Sequence, residues 1–219
     1  MNDQLPLLLA ALAGAAPVAL YIARAKPAAA RPAHCPRQRA RARRGPRTFV
    51  VADLVGYTAL TEARGDEHAA VVVGRFRRAV RALVSRCAMA GLRWTGDGVL
   101  LAFDDSRAAV DAALRLAGGV NGLPPVRVGV HTGTAVRRRG DWFGAGVNLA
   151  ARVADVAVGG EVVVTQATRE ACAGLDGVEL RALQARRFKN VNGDVALYAI
   201  APATCRSLPP APHRLSPAL

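Results

Sequence analysis

Two apolar segments, Arg47–Leu60 (RTFVVADLVGYTAL) and Arg93–Phe103 (RWTGDGVLLAF), each place a single acid where a strand-like run meets glycine. In the first, Asp53 lies among Val50, Val51, Leu54 and Val55, just ahead of Gly56. In the second, Asp97 stands between Gly96 and Gly98, a pattern that predicts a tight turn with the carboxylate at its tip. An ionised carboxylate within an apolar strand is costly without a cation or a set of hydrogen bonds. Alone, Asp53 reads equally as a turn cap, and Gly96-Asp97-Gly98 as a plain hairpin. Together they predict a shared metal site. Oxygen-only ligands from two carboxylates suit Mg²⁺ or Mn²⁺, which complete their shells with water and substrate phosphates.

The periodicity around these segments sets the fold class. From Asp66 a helical pattern runs through Val72, Val73, Phe76, Val80, Leu83, Val84 and Cys87, with arginines between them as a solvated face and Gly91 as its end. Two short strands flank Gly96-Asp97-Gly98. Ser106–Leu116 is again helical, through Ala109, Val110, Ala113, Leu114 and Leu116, and stops at Gly118-Gly119; Val126–His131 is the next strand. This β-α-β-β-α-β order predicts an α+β domain with a ferredoxin-like, palm-type antiparallel sheet and both helices on one face, which brings Asp53 and Asp97 together. Beyond it, the pattern predicts a helix over Phe143–Val156, a strand over Glu161–Thr165, a short helix capped by Thr165, and strands at Val178–Leu183 and Val195–Ile200. The predicted domain therefore covers 47–200. The proline-containing stretch 201–219 reads as an unstructured tail.

A net charge of +14 invites a nucleic-acid reading, but nine of the 30 Lys and Arg residues fall between 24 and 47, where no acid occurs. Charge gathered in a Pro/Arg-rich linker, 24–46, and not on a motif-bearing face, argues against a nucleic-acid partner. Ahead of it, Leu5–Ala23 is uncharged and long enough for a single transmembrane helix within 1–23. The basic cluster on its C-terminal side then predicts a single-pass protein of the cell membrane, its catalytic domain cytoplasmic and its linker facing anionic headgroups. An Ala-rich surface helix, or an export signal ending near Ala28-Ala29-Ala30, is the alternative reading of this segment. Cys35, Cys87, Cys172 and Cys205 show no CxxC spacing, which argues against zinc and against a redox pair.

Several motifs in order resemble the catalytic domain of class III adenylate and guanylate cyclases: ADLVGYT, RWTGDGVLLAF, VRVGVHTG, DWFGAGVNLAARV, GGEVVVTQAT and FKNV, across Arg47–Ile200. The resemblance implies the class III cyclase fold, with Asp53 and Asp97 holding two Mg²⁺ or Mn²⁺ ions per site and Gly56, Tyr57 and Thr58 binding phosphate. It implies that Asn148 and Arg152, four apart on one helix face, orient the ribose and stabilise charge at the transferring phosphorus. Lys189 matches the family's triphosphate-binding lysine. Taken singly, Arg152 reads as a surface salt-bridge residue, Lys189 as a solvated cation, His131 as a core or turn histidine, and Trp94 and Trp142 as packing residues.

In the resembled family the metal ligands and the transition-state groups come from different protomers, so a homodimer with two composite sites is implied. Base choice would rest on Arg93 and Asp141. The family's adenylate cyclases carry a lysine four residues before the second metal aspartate; Arg93 departs from it, keeping the charge on a bulkier, planar group. Asp141 would accept from the N6 amine of adenine and repel guanine O6, which favours ATP. The stretch Gly133–Gly140 is also shorter than the family's usual hairpin. The implied function is conversion of ATP to 3′,5′-cyclic AMP and pyrophosphate; the alternative is a weak or inactive cyclase-like domain kept for nucleotide binding or dimerisation.

Overall fold

Residues Thr48–Ala52 are buried on both faces of β1 (Arg47–Leu54), so this strand lies inside a sheet and not at its edge. The computed structural model describes residues 45–203 apart from 86, 120, 121 and 176, all within one compact unit. The predicted membrane helix, nearly all of the basic linker, Cys35, Cys205 and the tail beyond residue 203 lie outside the described residues. Among the described residues no helix is long and apolar enough to cross a membrane.

The remaining strands are β2 (Gly91–Thr95), β3 (Gly98–Phe103), β4 (Val126–Gly133), β5 (Val136–Arg138), β6 (Asp141–Phe143), β7 (Val162–Thr165), β8 (Val178–Arg187) and β9 (Asp194–Pro202). Seven of them form one sheet in the order β2-β3-β1-β4-β7-β9-β8, while β5 and β6 form a separate hairpin. Every neighbouring pair in the large sheet is antiparallel except β4 with β7. The helices are α1 (Tyr57–Val84), α2 (Ser106–Ala117), α3 (Ala145–Ala154) and α4 (Gln166–Ala171).

Alternation along β1 divides the core. Val50 and Ala52 point to one face, where Val72, Phe76 and Val80 of α1 and Val110 of α2 cover them. Phe49 and Val51 point to the other, against Trp142, Val147 and Ala150. The two predicted helices thus share a face as expected, and α3 closes the opposite one. That second layer decides where the site lies, because Asp53 follows Val51 on the α3 side.

Two features of α1 differ from what its periodicity predicts, although its start lies where the resemblance placed the phosphate-binding Gly56, Tyr57 and Thr58. It begins at Tyr57, directly after Gly56 in the left-handed region, and resumes at Asp66 after a break at Gly65 (φ 79°, ψ 165°). It ends at Val84, and Gly91 opens β2. Nor is its arginine face simply solvated. Arg77 Nη2 donates to Gly96 O at 3.1 Å, and the guanidiniums of Arg77 and Arg81 lie 5.4 and 5.5 Å from the centre of the Trp94 ring. The contact from Arg77 ties α1 to the turn that carries Asp97. Thr165 caps α4 as predicted, accepting from Thr168 N.

Candidate active site

The sheet register sets Asp53 opposite Gly98 on one side and opposite Arg127 on the other. A Cβ at residue 98 would stand 3.0 Å from Asp53 Oδ1 and 2.9 Å from Ala52 O, so glycine is what lets the turn close on the Asp53 carboxylate. Asp97, at the head of that turn, is pushed up to about 6, first by burial and then by the neighbouring charge of Asp53. The expected convergence of the two aspartates is therefore present.

Sequence reasoning missed Arg127 and Asp155. Arg127 Nε and Nη2 donate to Asp53 Oδ2 at 3.3 and 2.9 Å, and Nη2 lies 3.2 Å from Asp155 Oδ1, one residue past α3. The signal was a lone arginine in VRVGV, the otherwise apolar first part of β4. Reading it required the strand register. Among the described residues no three His, Cys, Asp or Glu side chains cluster as a metal cage. The donors nonetheless fit Mg²⁺ or Mn²⁺: two adjacent carboxylates, the Asp97 carboxyl raised first by burial and then by the charge of Asp53, are what a hard divalent cation relieves.

Gly56 turns the chain out of β1 at φ 76°. Leu60 N donates to Gly56 O at 2.9 Å as the first intrahelical bond, so the earlier amides of Tyr57 and Thr58 have no acceptor within the helix. No acid sits in this first turn, which leaves it suited to an anion.

Arg93 pairs with Leu100 in the register and so faces the α3 side, where its guanidinium lies 6.0 Å from the centre of the Phe143 ring. Asp141 is two residues before Phe143 on β6 and shares its face. The two predicted base-reading residues thus converge on one hairpin. Its shortness has a plain cause: Arg139 and Gly140 both take positive φ (51° and 92°), giving a two-residue turn that pairs Asp141 with Arg138. Trp142 points away into the core, edge-on to Phe49 at 5.8 Å, and is a packing residue.

Asn148 is exposed and Arg152 half-buried on α3. Asn148 precedes Asp155 by seven residues, or about 10 Å along the axis, and Asp155 marks the Asp53 end of the helix. Lys189 is exposed in the loop between β8 and β9. β8 lies four strands from β1, roughly 19 Å across the sheet, and the loop after it turns back over α3, where Phe188 and Val191 pack against the cluster of Leu149 and Val153. One chain therefore unites Asp53 with Asp97 and Arg93 with the hairpin of Asp141, but sets Asn148 away from the aspartates.

Residues 121–201 match the family described as the adenylate and guanylate cyclase catalytic domain. The chain is 36% identical over 159 residues to a pH-sensitive adenylate cyclase of Mycobacterium tuberculosis, a match covering 70% of this chain and 40% of that protein. To an adenylate cyclase of Streptomyces griseus it is 39% identical over 116 residues, covering 52% of this chain and 29% of the relative. The chain thus spans 40% or less of the length of these two relatives. A solved adenylate cyclase of Trypanosoma brucei, described in its monomeric state, aligns with a TM-score of 0.65 at 24% identity, over 75% of this chain and 91% of that one. At that identity the likeness shows the fold. Motif order, the paired aspartates, the sheet and these matches agree, and the chain belongs to the adenylate and guanylate cyclase catalytic domain family.

Proposed function

We propose that this chain is an adenylate cyclase, forming 3′,5′-cyclic AMP and pyrophosphate from ATP at the two composite sites of a homodimer. The observation that carries the reading is the convergence of Asp53 and Asp97 at the end of β1, with the register and Gly98 holding them together. Mg²⁺ or Mn²⁺, two ions per site, would supply Lewis-acid activation of the ribose 3′-hydroxyl and neutralise charge on the triphosphate. Asp53 and Asp97 would hold them. The amides after Gly56, at Tyr57 and Thr58, donate to phosphate oxygens, and Lys189 of a second copy adds a cation there. Asn148 and Arg152 of that copy orient the ribose and stabilise charge at phosphorus. Arg93 donates to adenine N1, and Asp141 accepts from the N6 amine. Support for ATP over GTP is this donor–acceptor order and the adenylate cyclases among the relatives. Support for membrane tethering is the uncharged segment Leu5–Ala23 followed by basic residues; retention in the membrane fraction after carbonate washing tests it.

The deciding experiment measures cyclic AMP and cyclic GMP made by the purified full chain from ATP or GTP with Mg²⁺ or Mn²⁺. Cyclic AMP is expected, and Asp53→Asn or Asp97→Asn should lower it by roughly a hundredfold or more. Two observations favour the second reading, a cyclase-like domain that binds nucleotide without turnover: Arg93 in place of lysine, and the guanidinium of Arg127 on Asp53. Nucleotide binding with no cyclic product from either substrate would establish it.

A further inference from the structure

Arg127 stands between two acids. Its bonds to Asp53 occupy Oδ2, an oxygen that a cation at Asp53 would claim, while the same Nη2 already lies 3.2 Å from Asp155 Oδ1. A guanidinium pushed off one carboxylate beside a divalent cation needs another anion, because a partly buried charge without a partner is costly. Asp155 is placed to be that anion. Its backbone is anchored at the end of α3, where its amide donates to Ala151 O and Val153 O. Its side chain is 53% exposed and can follow the guanidinium. Arg127 is itself fixed by β4 opposite Asp53, so turning its terminal torsions exchanges one acid for the other without moving the sheet.

We infer that Asp155 is a positioning residue that keeps Arg127 when Asp53 takes up a divalent cation. Arg127 is then a movable counter-charge, on Asp53 in the metal-free protein and on Asp155 in the metal-bound one. The inference rests on the metal reading of Asp53 and Asp97. Its sign follows from the two states. Asp155 competes with Asp53 for Arg127 before the ion arrives and holds Arg127 alone afterwards, so it favours the metal-bound state.

The test titrates Mn²⁺ into the metal-free full chain and reads the free aqueous ion by its electron paramagnetic resonance signal, with no turnover involved. Asp155→Asn should weaken Mn²⁺ binding about fivefold, and Asp155→Glu should restore it to within about twofold, in the range of a partly exposed ion pair. In an Arg127→Gln background there is no guanidinium to rehouse, so Asp155→Asn should change binding by less than about twofold. Equal losses in both backgrounds overturn the inference, since Asp155 would then act only as a negative charge near the ion; so does no loss in the native background. If Arg127→Gln does not fold, the Nε–H resonance of Arg127 decides. Mg²⁺ should shift it in the native protein, and in Asp155→Asn saturated with Mg²⁺ its protection from solvent should be lost. An Nε–H signal indifferent to both overturns the inference. Failure of the underlying reading looks different: Mn²⁺ binding that survives Asp53→Asn unchanged removes the metal site, and the role of Asp155 with it.

Discussion

Asp97 and His131 titrate over overlapping ranges with opposite effects on the metal-free protein. Burial and the charge of Asp53 raise Asp97 from 3.8 to about 6, so between these values the folded state binds more protons than the unfolded chain, and stability falls as pH rises. His131, whose Nδ1 bonds Thr165 Oγ1 at 2.9 Å, is lowered by burial from 6.5 to about 4. There the unfolded chain binds more protons, so its contribution rises with pH between 4 and 6.5 and is lost in acid. We predict that Asp97→Asn stabilises the metal-free protein at pH 7 by about 1–2 kcal/mol, allowing for solvent screening at a half-exposed site. It should also unmask the rise due to His131. Thermal unfolding in a chelator checks both, and a variant less stable than the native protein at pH 7 would contradict the like-charge account. A second prediction concerns the base. Asp141→Ala should erode the ATP-to-GTP ratio of kcat/KM by roughly ten- to a hundredfold, the worth of one base-reading hydrogen bond, whereas Arg93→Lys should preserve it. An unchanged ratio in Asp141→Ala would show that the hairpin does not read the base.

At the scale of elements, the contact that places α3 is its approach to β4 at Gly129. A Cβ there would lie 2.6 Å from Ala154 Cα and 2.7 Å from Ala150 O, and both obstacles are backbone. Gly129→Ala must push α3 outward, so a loss of about 1–3 kcal/mol or more is expected in denaturant unfolding, with a fall in kcat because Asn148 and Arg152 ride on that helix. Gly74→Ala is the control. Inside α1 its new methyl meets nothing closer than Arg78 Nη1 at 3.8 Å, and it should be neutral or stabilising by up to about 1 kcal/mol. These contacts also mark what could be read from sequence. Val72, Phe76, Val80 and Val84 were legible as one buried stripe because helical period alone places them. The start of α1 was not, because the turn after Gly56 offers only the half-buried Tyr57 and Leu60 before Gly65 breaks the pattern. The clasp of Arg77 and Arg81 on Trp94, and that of Arg127 on Asp53 and Asp155, depend on which strand lies beside which, so no local period announces them.

For the whole molecule the geometry raises a question of stoichiometry. The aspartates occupy the Asp155 end of α3, Asn148 sits about 10 Å away along that helix, and Lys189 is in the β8–β9 loop, whose Phe188 and Val191 pack against the cluster of Leu149 and Val153 of α3. The motifs were legible one by one, and the resemblance already implied that one copy does not gather them; the register and the strand order added which groups stand together. If a homodimer supplies the missing half, then Asp53→Ala and Asn148→Ala full chains should each be inactive yet recover activity when mixed. In a heterodimer of the two, one composite site carries both lesions while the other keeps an intact Asp53 and an intact Asn148. Random pairing puts half of the dimers in that form, so cyclic AMP production should return to about a quarter of the native level. A third variant sharpens the test. Asp97→Ala mixed with Asp53→Ala should recover nothing, because both lesions fall in the same half-site and every composite site keeps one of them. Recovery in both mixtures would point to subunit effects unrelated to shared sites. Failure of the first mixture, with heterodimers verified by two affinity tags, would mean that Asp53 and Asn148 do not meet across the dimer.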